Sequence, residues 1–306
     1  MNRIPDETDG PNGRFPEIEV IGPGRPDPWL DPDLWTSGMR HFQLGTSVFA
    51  LNRIGPDGLV LELDCHKCTR RRSALVRVEP SGGRHGVAST NEQMLDRAQS
   101  AVMEWLDRPD TQKWINQHAE CTGEEDGALL PGHVAPNLEK LRAHVSPRLR
   151  KGGSADPELL VFTKSGAVMV VDTRKVYELP SGERHRRGYE VISGLRRLGR
   201  SKGHAFACLI SYSEAHMSAV GAPGSKEQDD LLRAIETGAR DEDGRYEIAI
   251  VQIATPDRRV GGFAPIERTT GRSCEGPGRL GKFRFQPGVR DLIYDDLFAE
   301  DVGVVG

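Results

Sequence analysis

"ELLVFTKSGAVMVVDTRK" fills residues 158–175. Two apolar runs, 158–163 and 166–173, flank the turn Lys164-Ser165-Gly166. Short β-branched runs separated by a Gly-containing turn predict a β-hairpin. Downstream, "GYEVISGLRRLG" (188–199) has helical spacing and "HAFACLISY" (204–212) reads as a strand. "SKEQDDLLRAIETGA" (225–239) is a helix opened by a Ser225/Gln228 capping box, and "YEIAIVQIA" (246–254) is the next strand. The order β-β-α-β-α-β predicts a sheet with helices packed on it over residues 158–255.

Upstream, "TSVFALNR" (46–53), "LVLELDC" (59–65) and "SALVRVE" (73–79) alternate and are punctuated by Gly and Pro, which predicts an antiparallel meander. "TNEQMLDRAQSAVMEWLDRP" (90–109) is a helix with a Thr90/Gln93 capping box, ended by Pro109. A shorter helix carries Trp114, Ile115 and His118, and "NLEKLRAHV" (137–145) predicts another. The Met and Trp stripe of the longer helix reads as core packing. The fold class expected is α+β or α/β: an antiparallel meander with helices at 41–147, a linker at 148–157, and the sheet domain at 158–255. A Pro-, Gly- and Asp-rich tail (1–40) precedes it and a Gly/Arg-rich segment with an acidic end (256–306) follows.

A chain of 306 residues has room for two cores, and a net charge of −4 excludes bulk attraction to nucleic acid or anionic membrane, so any such contact needs a local patch. The opening "MNRIPDETDG" lacks the apolar core of a secretion signal, and no apolar run approaches the ~20 residues of a membrane span. Five cysteines, an odd number, argue against a disulfide framework. The expectation is a soluble cytoplasmic protein that does not engage a membrane.

"CHKC" places Cys65 and Cys68 between two expected strands, and "HAEC" places His118 and Cys121 at the end of a helix. Two thiolates on a turn grip half a structural Zn²⁺, and a second pair of the same spacing supplies the four ligands such a site needs. The alternative is that Cys65 and Cys121 are small buried apolar residues and His118 a packed core histidine. His66 and His133 are spare candidates. A redox role for Cys65 and Cys68 lacks the βαβ context it requires. Cys208 reads as core and Cys274 as a loop residue.

The hairpin also carries acids. Pairing its strands brings Asp156 or Glu158 near Asp172, and two converging carboxylates can hold Mg²⁺. In an extended strand Asp172 and Arg174 share a face that Lys175 does not. This arrangement resembles the restriction-endonuclease-like core of the PD-(D/E)xK nucleases over residues 156–212, with "DPE" as the first motif and "DTRK" as the second. The resemblance implies a Mg²⁺-dependent phosphodiester hydrolase. Asp156 and Asp172 would be its metal ligands, Glu158 an alternative to Asp156, and Arg174 or Lys175 would stand in for the family's lysine. Arg174 keeps its proton and cannot act as a base.

Arg184, Arg186, Arg187, Arg196, Arg197, Arg200 and Lys202 follow the hairpin closely enough to contact DNA or RNA phosphates, or they form a solvated face. Residues 258–290 add further arginines among glycines, either as a nucleic-acid-binding arm or as partners for the acidic end. Ser211, Ser213, Glu214 and His216 follow a strand without the G-x-S-x-G turn that would make them a relay. Two functions stand: a nucleic-acid-associated protein in the form of a divergent metal-dependent nuclease, and a non-catalytic, zinc-stapled protein-interaction or adaptor module.

Overall fold

The computed structural model describes residues 40–44, 48–55, 58–78 without His66 and Thr69, 100–122, 132–218, 238–269, 274–286 and 295–305, with isolated positions between 229 and 236. The fold is mixed α+β, with a curled antiparallel sheet, another sheet that ends in one parallel strand, and few helices. Among the described residues no helix is long and apolar enough to cross a membrane.

The first sheet has the order β1-β2-β3-β4-β12. Strands β1 (Arg40–Leu44), β2 (Val48–Gly55), β3 (Gly58–Cys65) and β4 (Arg71–Val78) form the antiparallel meander. Gly58 opens β3 at φ +140°, and a Cβ there would lie 1.9 Å from the Val76 carbonyl oxygen, so only glycine lets β3 sit this close to β4. Leu59, Leu61, Leu63, Ala74 and Val76 meet Val102, Trp105 and Leu106 from the helical residues 100–106. Trp105 is fully buried, with its indole N–H on Glu300 at 3.2 Å.

The helix expected over 90–109 is described from Ser100 and stops at Leu106; its capping box lies outside the described residues. Pro109 does not simply end it. Its missing N–H costs nothing at a first helical position, and it begins α1 (Pro109–His118).

The acidic end is not a tail. β12 (Glu300–Val305) runs parallel to β4, and Glu300 ties Arg108 at 2.7 Å and Arg72 at 3.4 Å, while Asp301 takes Arg77 at 2.6 Å. The chain thus leaves the first sheet after β4, builds the second, and returns.

The second sheet has the order β10-β9-β8-β7-β5-β6, with β11 also on β9, and every pairing is antiparallel. Its hairpin of β5 (Glu158–Thr163) and β6 (Val168–Asp172) forms where the sequence predicts it, with Glu158 opposite Asp172. Gly166 takes φ +89° in the turn, which the Thr163 hydroxyl braces by accepting the Ala167 N–H at 3.0 Å.

β7 (Phe206–Met217) runs past the expected 204–212, so Ser213, Glu214 and His216 are strand residues, not a loop beyond it. β8 (Tyr246–Ala254) pairs with β7 and β9 (Arg259–Arg268). Of the helix expected at 225–239, residues 229, 232, 233 and 235 are described as helical; its capping box lies outside them.

Three expected boundaries move. The helix at 137–145 is α2 (Ala135–Leu149), and it serves the second sheet: Leu138, Leu141, Val145 and Leu149 cover Leu160, Phe162, Ile210, Tyr212, Val251 and Ile253. The expected linker 148–157 begins inside this helix, and its Ala155 is buried, with its N–H on Glu214 at 3.1 Å. The segment 256–306 is strand-forming, since β9, β10 (Gly278–Leu280) and β11 (Arg284–Gln286) extend the second sheet. The opposite face is covered by α3 (Arg174–Tyr177) and α4 (Ser181–Lys202), with Ile192 and Leu195 on Leu159, Val161 and Leu209.

Candidate metal centre

Cys65 is the last residue of β3, and its N–H donates to the Arg70 carbonyl at 2.8 Å, closing the turn that presents Cys68. The other pair arrives on α1. Arg72 holds Asp110 in the helix's first turn, and the Gln112 side chain reaches the Leu106 carbonyl at 2.8 Å, so the helix is fixed at its start. Its end then projects His118, and the Cys121 N–H turns back to the His118 carbonyl at 3.2 Å. Trp114 and Cys121 pack against the Cys65/Cys68 cluster, and Trp114 sets its ring edge-on to His118 at 4.5 Å between centroids.

The ligand atoms of Cys65, Cys68, His118 and Cys121 all lie within 4.8 Å of one another, the one His/Cys/Asp/Glu group of metal-binding geometry among the described residues. Cys68 Sγ is 3.7 Å from His118 Nδ1. Tetrahedral Zn–S and Zn–N bonds of about 2.3 and 2.1 Å would set sulfur and nitrogen about 3.6 Å apart, so the two can share an ion. The four residues can hold a metal such as zinc. Of the alternative, Cys65 is buried as expected, whereas Cys121 and His118 are only half-buried.

Electrostatics agree. The Cys68 thiol donates toward Cys65, which brings the Cys65 pKa down to about 5, although burial opposes this. Cys68 is pushed up because its proton is held in that contact and because it is buried. A cation held in the cage would displace this shared proton and take both sulfurs as thiolate ligands. It would also sit at the C-terminal end of α1, where the carbonyl dipoles favour positive charge. The spare candidates His66 and His133 fall outside the residues whose side chains are described.

The hairpin acids do meet, but around arginines. Arg174 grips Asp172 with Nε–Oδ1 at 3.0 Å and Nη2–Oδ2 at 2.5 Å, and its Nη1 lies 3.7 Å from Asp156. Asp172 is exposed, and Arg174 holds its carboxyl at about 2. Asp156 also accepts from Ser154 at 2.5 Å and faces Arg148 at 3.6 Å.

Glu158 accepts from Arg148 at 2.9 and 2.7 Å, from the Tyr212 hydroxyl, and contacts His144 Nε2 at 2.8 Å. Burial pushes the Glu158 carboxyl up, but Arg148, Tyr212 and His144 together bring it below its ordinary value. This network was not legible as a site; the signal available was His144 and Arg148 four residues apart on one helix. Arg174 and Lys175 lie in the turn α3, not on the strand, so the strand-face reading of Lys175 does not apply.

The basic residues divide. Arg184 is committed to the Tyr177 and Leu179 carbonyls, Arg196 is buried, and Arg187 pairs with Glu190 at 2.5 Å. Arg197 and Arg200 are exposed on α4, and the Arg186 side chain lies outside the described set. Downstream, Arg258, Arg259 and Arg268 are buried in the sheet structure, which corrects the flexible-arm expectation for that part. Cys208 is core, its thiol raised by burial to about 12. Cys274 lies 3.9 Å from His216 Nε2, with burial and then Glu247 raising its thiol to about 11, well above the range where a thiolate nucleophile forms. No family model matches this chain, and no curated protein or solved structure matches it.

Proposed function

We propose that this chain is a non-catalytic, zinc-stapled interaction module, in which Cys65, Cys68, His118 and Cys121 hold one structural Zn²⁺ and the second sheet offers the partner surface. One observation supports the zinc part of this reading: four thiol and imidazole donors from two separate elements converge within 4.8 Å. Thiolate and imidazole suit Zn²⁺, whereas Mg²⁺ takes oxygen ligands, and four protein donors leave no open position for a reacting water. Elemental analysis of purified protein tests it: close to one zinc per chain, lost when Cys65 and His118 become Ala.

A second reading, the Mg²⁺-dependent nuclease acting on DNA or RNA, draws on the convergence of Asp156 and Asp172 on one guanidinium. There Arg174 already fills the place a cation would take, and it cannot neutralise itself by losing a proton. Incubation with DNA and RNA at low salt, with Mg²⁺ or Mn²⁺, separates the two. No cleavage is expected; cleavage that disappears in Asp172→Ala would install the nuclease reading instead.

A further inference from the structure

We propose that metal occupancy of the cysteine–histidine cage is coupled to the junction between the two sheets, through Arg70 and Arg71. This rests on the zinc reading above and adds to it a regulatory consequence.

The turn that holds the first two ligands is also one wall of the junction. Cys65 N–H closes on the Arg70 carbonyl at 2.8 Å, so Arg70 lies in the hydrogen-bonded frame of the metal turn. Arg70 in turn makes an antiparallel bridge to Arg258 and places Nη1 2.5 Å from Asp257 Oδ2. The next residue, Arg71, donates its N–H to the Asp257 carbonyl at 2.9 Å.

Asp257 belongs to the turn between β8 and β9, which is itself tightly built. Thr255 Oγ1 donates to Asp257 at 3.0 Å, and the Arg258 N–H donates to the same hydroxyl at 3.1 Å. A second strut lies three residues before Cys65, where buried Glu62 on β3 meets buried Arg259 at the start of β9. A bound ion would fix the Cys65–Cys68 turn from one side while Asp257 and Arg259 fix it from the other.

A coupling of this kind is a free energy shared by the two sites, so it acts reciprocally. Loss of the ion loosens Arg70 and Arg71 against Asp257, and disruption of the junction weakens the ion.

The test uses the full chain. Zinc affinity is measured by competition with a chromogenic chelator for wild type, Asp257→Ala and the exposed control Asp243→Ala. Hydrogen exchange of peptides spanning 62–75 and 255–262 is followed with and without zinc. The expected result is a zinc affinity at least about fivefold weaker in Asp257→Ala but unchanged in Asp243→Ala. Faster exchange in both peptides on zinc removal is expected alongside it. If wild type binds zinc, yet Asp257→Ala binds it equally well and peptide 255–262 exchanges alike in both states, the coupling is overturned while the metal site stands. If wild type takes up no zinc, the metal site itself falls and the coupling with it. Should Asp257→Ala not fold, the wild-type exchange comparison decides alone.

Discussion

Cys68 Sγ and His118 Nδ1 lie 3.7 Å apart although 50 positions separate them in the chain. What brings them together is the docking of α1, through Trp114 and Ile115, against the core of the meander and Trp105, so the cage stands on the hydrophobic packing of the first sheet. A bound ion would add to this packing.

Metal removal should therefore destabilise the first sheet measurably. With free zinc at about a thousand times its Kd, binding contributes about 4 kcal/mol to stability. Chelation is expected to lower the thermal midpoint, and Cys65→Ser should show the low midpoint with or without added zinc.

Acid should weaken the second sheet through Glu158. Its folded-state pKa lies below the ordinary value of 4.5, so the folded form holds the carboxylate to lower pH than the unfolded chain does. Between 4.5 and the folded value the unfolded chain binds more protons, and stability falls as pH falls. Above 4.5 the contribution is fully present. Glu158→Gln is expected to cost about 2 kcal/mol at neutral pH and to flatten this acid slope, read from urea midpoints across pH.

Arg259→Met should cost about 3 kcal/mol, because buried Glu62 would lose this ion-pair partner. Adding Glu62→Gln should recover much of that loss. A double variant as unstable as the single one would show that the pair matters through packing, not charge.

Gly58→Ala should destabilise by more than about 2 kcal/mol, since it combines a positive φ with a Cβ driven into the Val76 carbonyl. Urea denaturation followed by tryptophan fluorescence would report it through Trp105.

The hairpin, the meander and both metal-ligand pairs were legible because each rests on local chemistry: alternation, a Gly turn, a two-residue ligand spacing. What the sequence concealed was non-local. Nothing near Glu300 announces that it will cap Trp105, and α2 reads equally well as a helix of either half. Only the apolar faces of β5, β7 and β8 decide which sheet α2 covers. The roles of Arg258, Arg259 and Arg268 were hidden for the same reason, because a guanidinium looks like surface until the carboxylate it meets in the interior is known.

The parallel seat of β12 on β4 carries a consequence for biosynthesis. The meander leaves the ribosome before β12, so a meander that formed early would keep its β4 side an open hydrogen-bonding template. It remains so until residues 300–305 emerge, after the whole second sheet has been made. Such an edge would be a pairing template for neighbouring chains, and β12 closes it.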